Sequence, residues 1–257
     1  MYPTLSLGPL RLPAYWLCAM LGLLAAGLLA VRRKRAHPAL AWVDITNAAA
    51  LGGVGALAGG WLLYLLTAAP LLWRTRAYWA AHPGLLPAAL TGLVYYGGLL
   101  GLLGAVYLYL HRYRLPAEEF FNYLTPCIPL FHAFARVGCF LAGCCHGIEC
   151  PAFGLAFTSS ASAPNGVPYF PVQLLGAAAE LGIFALLLWR ERRGAARLLP
   201  LYLALYAPAR FLLEFLRGDA VRGLWGPFST SQWVSLAVLA ALIIQYRGAK
   251  RRPSHIS

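Results

Sequence analysis

The stretch AYWLCAMLGLLAAGLLAVRRKR, residues 14–35, carries no charge from Ala14 to Val31 and then ends in four consecutive basic residues. A helix of about 20 apolar residues crosses the ~30 Å hydrocarbon core of a bilayer. In a secretory signal the positive charges precede the apolar run, whereas here they follow it. The stretch therefore predicts a first membrane-spanning helix that stays in the protein.

Apolar runs of similar length recur along the rest of the chain. Six more are recognised, at roughly Trp42–Leu66, Leu86–Leu110, Phe120–Ala142, Val172–Trp189, Leu198–Phe215 and Trp233–Tyr246. Helices are expected because each helix pairs its own backbone N–H and C=O groups, which lipid cannot do. The predicted fold is all-α, a polytopic membrane helix bundle with about seven transmembrane helices. We expect a single integral membrane domain over residues 1–257, with short outer-face caps near residues 68–87 and 144–171.

The composition excludes an ordinary soluble domain. Hydrophobic residues make up 60% of the chain and charged residues 11%, and the mean hydropathy is +0.65. A soluble domain has about 25% charged residues, which cover its surface. Lipid must therefore cover much of this protein.

The net charge of +13 is concentrated in alternate loops. Fourteen of the 21 Lys and Arg residues follow the first, third, fifth and seventh runs. The opposite side carries Arg11, Arg74, Arg76, Arg217 and Arg222. Because cytoplasmic loops carry the excess of Lys and Arg, we expect the N-terminus outside and the C-terminus in the cytoplasm. Short basic clusters between apolar runs do not form a nucleic-acid-binding stripe, so no nucleic-acid partner is predicted.

Arg136, Arg210 and Glu214 are charged residues that lie inside apolar runs, where burial in the membrane is costly and usually functional. An intramembrane arginine either pairs with a carboxylate or holds an anion, since its guanidinium fork matches phosphate bidentately. Glu214 lies four residues after Arg210, on the same helix face, and is a candidate partner. One carboxylate neutralises two arginines poorly. A phospholipid head group is the anion most available there.

The residues around these arginines form three ordered motifs. YYGGLLG occupies residues 95–101, P-x-x-P-x6-R-V-G-C-F-x-x-G-x-x-x-G occupies 126–147, and Y-x-x-x-R-F-x-x-E-F-x-R occupies 206–217. This sequence resembles the prolipoprotein diacylglyceryl transferases, whose motifs read H-G-G-L-I-G, R-x-G-N-F-x-N-G and Y-x-x-x-R-x-x-x-E-F-x-R in the same order. The resemblance extends from the first predicted helix to the last, and the third motif is the most specific.

The resemblance implies a transferase of the bacterial cell (inner) membrane. Its substrates would be phosphatidylglycerol and the lipobox region of a prolipoprotein signal peptide, with transfer of the diacylglyceryl group to a cysteine thiol and release of glycerol phosphate. No cofactor and no metal are predicted. Two alternatives stay open: a divergent relative that binds phospholipid or uses another acceptor, and a cysteine-based redox or metal membrane protein.

The same resemblance implies the site. Arg136 and Arg210 correspond to a phosphate clamp, and Glu214 orients Arg210. The residues that the resemblance places at the substrate are Gly97, Gly98, Gly138, Cys139, Gly147, Gln173, Tyr206 and Arg217.

The chain departs from the family pattern at the positions of a histidine and an asparagine, which are Tyr96 and Cys139 here. The family's H-P-x-Q-L-Y-E reads FPVQLLG at residues 170–176. A free tyrosine has a pKa near 10 and is a poor base at neutral pH. His132, one turn before Arg136, is a second candidate. The predicted catalytic set is Tyr96, His132, Arg136, Arg210 and Glu214.

Four cysteines and a histidine lie within twelve positions at the end of the fourth run: Cys139, Cys144, Cys145, His146 and Cys150. Three interpretations stay open. Cys144 or Cys145 forms a disulfide with Cys150 in an oxidising compartment, the group binds a metal although it lacks a C-x2-C pair, or the cysteines are small residues packed around the lipid site.

Overall fold

The computed structural model describes residues 3–7, 10–85, 87, 90, 92–160, 162–195, 197–219 and 223–251. Leu86, the expected start of the third run, lies outside these ranges, as do Arg222 and the C-terminal Arg252. The described chain is mostly helical, consistent with an all-α membrane protein.

The helices are α1 Ala14–Arg33, α2 Trp42–Arg74, α3 Arg76–Ala81, α4 Tyr95–Arg112, α5 Ala117–Leu124, α6 Cys127–Ala142, α7 Val172–Arg192, α8 Leu198–Leu213 and α9 Thr230–Arg251. Short 3-10 turns cover Lys34–Ala36, Pro83–Leu85 and Glu214–Leu216. The strands are β1 Thr4–Leu7, β2 Leu10–Pro13, β3 Leu155–Ala156, β4 Pro168–Tyr169, β5 Leu224–Trp225 and β6 Phe228–Ser229. Strands β1 and β2 form an antiparallel pair, as do β3 and β4.

Five segments of the described chain are long and apolar enough to span a membrane: Ala14–Ala36, Trp42–Arg74, Ala117–Ala142, Val172–Arg192 and Leu198–Leu216. The third and seventh predicted runs form helices α4 and α9, which are not among these five. A multi-pass membrane protein is therefore supported, whereas the count of seven spans and the orientation of the termini stay predictions. The segment expected to form the first cap begins as a continuation of α2, which runs past Pro70 to Arg74.

The described residues form two compact units. The smaller one contains residues 37–120 and 223–225, with α2 and α4. Glycines let these two helices approach closely, because a Cβ atom at Gly59 or Gly101 would overlap backbone of the facing helix. Such small-residue contacts replace the missing hydrophobic drive between helices in lipid. Tyr109 of α4 donates a hydrogen bond of 3.0 Å to Asp44 of α2.

The larger unit contains the described residues of Met1–Ala36, Phe121–Arg222 and Gly226–Ser257. Helix α1 packs on α6 through glycines, since a Cβ atom at Gly22 would meet Phe131 and Phe134, and one at Gly138 would meet Tyr15. In the second predicted cap, β3 and β4 lie beside a small buried cluster of Phe157, Ala163 and Tyr169.

Candidate active site

Three helices of the larger unit carry polar residues spaced one or two helical turns apart. Helix α6 carries His132 and Arg136 one turn apart, and α7 carries Gln173 and Glu180 two turns apart. Helix α8 and the turn after it carry Tyr206, Arg210 and Glu214 at four-residue intervals. Residues four apart lie on one helix face, so each helix presents a polar stripe within an otherwise apolar segment. His132, Gln173, Glu180, Arg210 and Glu214 are all at least 95% buried.

A chain of polar contacts runs from Glu180 through His132 to Arg136. The Glu180 Oε1 atom lies 2.6 Å from His132 Nδ1, and Arg136 Nε donates to His132 Nε2 over 3.2 Å. Because arginine is a donor only, His132 Nε2 must accept, and the ring proton must sit on Nδ1. His132 is thus a neutral imidazole that links a carboxylate to a guanidinium and holds Arg136 in place.

Arg136 is half-buried and differs in its contacts from the buried arginines Arg33 and Arg210 of the larger unit. Within the described chain its hydrogen bond to His132 is its one polar contact to protein, and no carboxylate lies within ion-pair distance. Its aliphatic segment lies over Gly176 of α7. An anion with oxygens in a fork geometry is the ligand that matches the terminal nitrogens.

Arg210 is held by two groups. It forms an ion pair with Glu214 and donates 3.0 Å to the Ser231 hydroxyl of α9. Arg217 lies 3.5 Å from the same Glu214 carboxylate and binds Asp219 bidentately, at 2.8 and 2.5 Å. Glu214 therefore orients two arginines, and the pairing of Arg210 with Glu214 that the sequence predicts is present.

Aromatic rings close the site on the α8 side. The Tyr206 ring lies edge-on to His132, with centroids 5.7 Å apart, and it stacks on Tyr202 at 5.5 Å. Both tyrosines are buried. Their rings surround part of the polar chain with apolar atoms, and the low local dielectric strengthens its electrostatic contacts.

The cysteine motif folds back over the end of α6. Gly143 has φ +74 and ends the helix, and the Cys144 N–H bonds the Cys139 carbonyl over 3.1 Å. This pattern is a Schellman cap, which reverses the chain. The reversal brings Cys144 and Cys145 beside Cys139, and the three Sγ atoms lie within 4.8 Å of one another. Cys150 is not part of this group, and all six cysteines are free thiols.

The positive charges of two arginines act on the Cys145 thiol. Hydrogen bonds from the Cys139 and Cys144 thiols, together with the charges of Arg217 and Arg136, hold the pKa of the Cys145 thiol well below its usual value despite its burial. Gln173 fixes the same loop, since its Nε2 atom donates 2.8 Å to the Cys144 carbonyl. The cysteine group and the arginine group thus form adjoining parts of one polar region.

Most of the site residues expected from sequence lie in the larger unit: His132, Arg136, Gly138, Cys139, Gly147, Gln173, Tyr206, Arg210, Glu214 and Arg217. Tyr96, Gly97 and Gly98 belong to the smaller unit. Gly97 packs against Gly59 of α2, and Gly147 packs against the backbone of Phe170 and Leu216. Close helix and loop packing therefore gives a physical reason for these two glycines, and their contact with substrate stays a prediction.

Glu180, Ser231 and Asp219 were missed by sequence reasoning. Glu180 had a readable signal, because an acidic residue inside the apolar run 172–189 is costly without a partner. Ser231 and Asp219 gave no sequence signal, since a serine in an apolar helix and an acidic residue in a loop are common.

Comparisons with known proteins agree with the motifs. A sequence model of the family described as prolipoprotein diacylglyceryl transferase matches residues 3–246. A relative from Clostridium tetani is 33% identical over 233 residues, covering 88% of this chain and 89% of the relative. One from Clostridium perfringens is 30% identical, covering 92% and 91%, and one from Paracidovorax citrulli is 28% identical, covering 99% of each. These relatives are named phosphatidylglycerol–prolipoprotein diacylglyceryl transferases.

Proposed function

The chain belongs to the prolipoprotein diacylglyceryl transferase family, and we propose that it transfers the diacylglyceryl group of phosphatidylglycerol to a cysteine thiol in the lipobox of a prolipoprotein. The family match runs along nearly the whole chain. The observation that carries the proposal at the level of the site is Arg136, a cation at the inner face of a helix bundle that meets no carboxylate in the described chain.

The reaction requires a bound phosphate and a thiolate. The thiolate sulfur forms a bond to the glyceryl carbon, the bond from that carbon to the phosphate oxygen breaks, and its electron pair leaves with glycerol phosphate. Arg136 and Arg210 hold the phosphate and stabilise the charge that develops on the leaving oxygen. Removing one such preorganised donor typically costs about 10²–10³ in rate.

The remaining residues orient the two arginines. Glu180 and His132 set the direction of Arg136, while Glu214 and Ser231 set that of Arg210. Arg217 contributes a further positive charge near Glu214. Tyr206 lines the site beside His132.

Tyr96 and His132 are the two side chains proposed to assist proton transfer from the acceptor thiol. Tyr96→Phe removes only the hydroxyl group, so a loss of rate reports hydrogen bonding or proton transfer rather than packing. Loss of a general base costs roughly 10²–10⁴ in rate. If neither Tyr96→Phe nor His132→Ala slows transfer tenfold, neither side chain is the base.

The family suggests a bacterial inner-membrane location, and the distribution of basic residues supports an N-terminus outside and a C-terminus in the cytoplasm. Reporter fusions at Arg35 and Arg193 should then report the cytoplasm, and a fusion at Gly166 the outer side. The opposite result at both kinds of position would place the site at the wrong leaflet for an exported acceptor.

A second candidate function is phospholipid binding, or transfer to another acceptor, by a divergent member of the family. The tyrosine at position 96, where the family motif has histidine, favours it. Such a protein would bind phosphatidylglycerol but leave a lipobox peptide unmodified.

The test uses purified full-length protein, phosphatidylglycerol and a peptide containing a lipobox cysteine. We expect the peptide to gain the mass of one diacylglyceryl group, and the same peptide with serine in place of cysteine to stay unchanged. Arg136→Ala is the matched negative control. Lipid binding without any gain in peptide mass would support the second candidate function and contradict the first.

A further inference from the structure

Three thiols form a cluster that the proposed reaction has so far not used. The Sγ atoms of Cys139, Cys144 and Cys145 lie within 4.8 Å of one another, and all three residues are only partly buried. No fourth Cys, His, Asp or Glu of the described chain joins the group. The cluster is thus a three-ligand arrangement that remains accessible.

The backbone holds the cluster in a costly conformation. Cys145 has φ +54, a left-handed conformation that is unfavourable for a non-glycine residue and that persists where the surrounding structure fixes it, often at functional sites. Two side chains fix the loop: Gln173 binds the Cys144 carbonyl over 2.8 Å, and the Ser160 hydroxyl binds the Gly143 carbonyl over 3.0 Å. The positions of the thiols are therefore determined by contacts outside the cluster.

The spacing fits a single soft metal ion. Zinc binds thiolate sulfur at about 2.3 Å, so two sulfur ligands of a tetrahedral ion lie about 3.8 Å apart. Small side-chain rotations bring atoms that are within 4.8 Å to this spacing. Three protein ligands with an open fourth position are the arrangement of catalytic zinc, whereas structural zinc has four.

The surrounding charges favour such a complex. Three thiolates and a divalent cation leave one net negative charge. Arg217 and Arg136 both act electrostatically on Cys145, and Arg136 has no carboxylate partner in the described chain. A fourth thiolate at the ion adds a second negative charge beside the same two guanidinium groups.

We propose that Cys139, Cys144 and Cys145 bind a divalent thiophilic cation such as Zn²⁺, and that its open position takes the thiol of the acceptor cysteine. This proposal rests on the proposed transfer reaction. A thiol bound to zinc is deprotonated, and its proton goes to solvent. The metal-bound sulfur then forms the bond to the glyceryl carbon while the bond to the phosphate oxygen breaks, and glycerol phosphate leaves with the electron pair.

The ion would supply the thiolate that a base otherwise generates. The phosphate is proposed to lie at Arg136, which also acts on Cys145, so the nucleophile and the leaving group are held by adjoining parts of one region. A metal that deprotonates the acceptor thiol also gives a chemical reason why the chain can have tyrosine at position 96, where the family motif has histidine.

The first measurement is the metal content of the full-length protein, purified in detergent under reducing conditions. We expect about one zinc ion per chain in the wild type and in Cys150→Ser, the matched control outside the cluster. Cys145→Ser should lose the ion. Because a cluster variant can fail to fold, each protein is compared by thermal denaturation, and the wild type is also depleted with a chelator and reloaded with Zn²⁺.

The second measurement uses Co²⁺ in place of zinc. Cobalt bound by thiolates gives a sulfur-to-metal charge-transfer absorption, which should increase when the lipobox peptide is added and stay unchanged with the serine peptide. Transfer should fall roughly hundredfold or more on depletion, the range of a lost base, and return with Zn²⁺.

The outcomes separate the two proposals. Full transfer by metal-depleted protein, or wild-type thiols found as a disulfide with no bound metal, would overturn the metal site and leave the transfer reaction standing. A cobalt spectrum that responds to the peptide thiol without any transfer to it would support the metal site and overturn the proposed function.

Discussion

Two arginines of the larger unit, the buried Arg33 and the half-buried Arg136, are used in opposite ways. Each nitrogen of Arg33 donates to protein: Nε to the Tyr123 carbonyl, and the two terminal nitrogens to Glu191, with a further bond to the Asn122 carbonyl. Arg136 donates only through Nε, to a neutral histidine, within the described residues. The groups that accept from an arginine's N–H donors therefore distinguish a structural arginine from one available to an anion.

The largest expected effect is on stability, from Arg33→Ala. It removes the ion pair with Glu191 and the hydrogen bonds to the Tyr123 and Asn122 carbonyls. Because Glu191 is partly exposed, we expect a cost of about 3 kcal/mol, the lower end of the range for a broken buried ion pair. Thermal denaturation in detergent should show a strongly lowered midpoint. Arg35→Ala, an exposed change in the same basic cluster, is the control and should leave the midpoint nearly unchanged.

A double variant sharpens this prediction. Arg33→Met combined with Glu191→Leu removes both charges, and such apolar replacements are often neutral or stabilising. The midpoint should recover most of the loss. If the single variant Arg33→Ala is as stable as the wild type, Arg33 does not stabilise the fold, and its contrast with Arg136 fails.

The next effect is on catalysis, from Arg136→Ala and Arg210→Ala. Each should lower transfer by about 10²–10³ and leave the fold intact, as judged by the thermal midpoint. Arg210→Lys should recover little activity, because a lysine lacks the planar fork. Near-normal transfer in both alanine variants would show that Arg136 and Arg210 do not hold the phosphate. Arg74→Ala, at an exposed position, serves as the control.

A smaller effect is expected from His132→Ala. Loss of a hydrogen bond to a charged group costs about 1.5–3 kcal/mol, or roughly 10–100-fold in rate. If His132 only positions Arg136, the loss should be the same at every pH. A loss that is relieved as pH rises would instead identify His132 as the base, because the thiol then ionises unaided. Glu180→Gln, which keeps an oxygen to accept from His132, should be milder.

The smallest effect is expected from Gly176→Ala. The added Cβ would lie 3.6 Å from Arg136 Cδ, an ordinary contact, and alanine is favoured over glycine in a helix by up to ~1 kcal/mol. Transfer should stay within about threefold of the wild type, and the thermal midpoint should not fall. A large loss of transfer would mean that the space over Gly176 is needed when Arg136 binds its ligand.

Much of the fold was predictable from sequence because its signals are local. Apolar runs, basic loops and caps are read within a few residues, and runs one, two, four, five and six all correspond to helices that can span a membrane. The third and seventh were less regular: α4 begins only at Tyr95, and α9 extends from Thr230 to Arg251. Helix α9 begins three residues before the predicted start at Trp233, because the side chains of Ser229 and Gln232 cap its first turn.

Composition and local motifs were enough to predict the membrane class and the family, and they gave the arginines of the site as a prediction. Tertiary packing was needed to identify Arg33 as a structural residue, because its partner Glu191 is 158 residues away in the chain. It also decided that Glu180 meets His132 and that Cys139, rather than Cys150, joins Cys144 and Cys145. These are contacts between side chains on different elements, or across a chain reversal at Gly143. Their formation depends on how helices pack and end, which no local pattern of hydrophobicity or charge specifies.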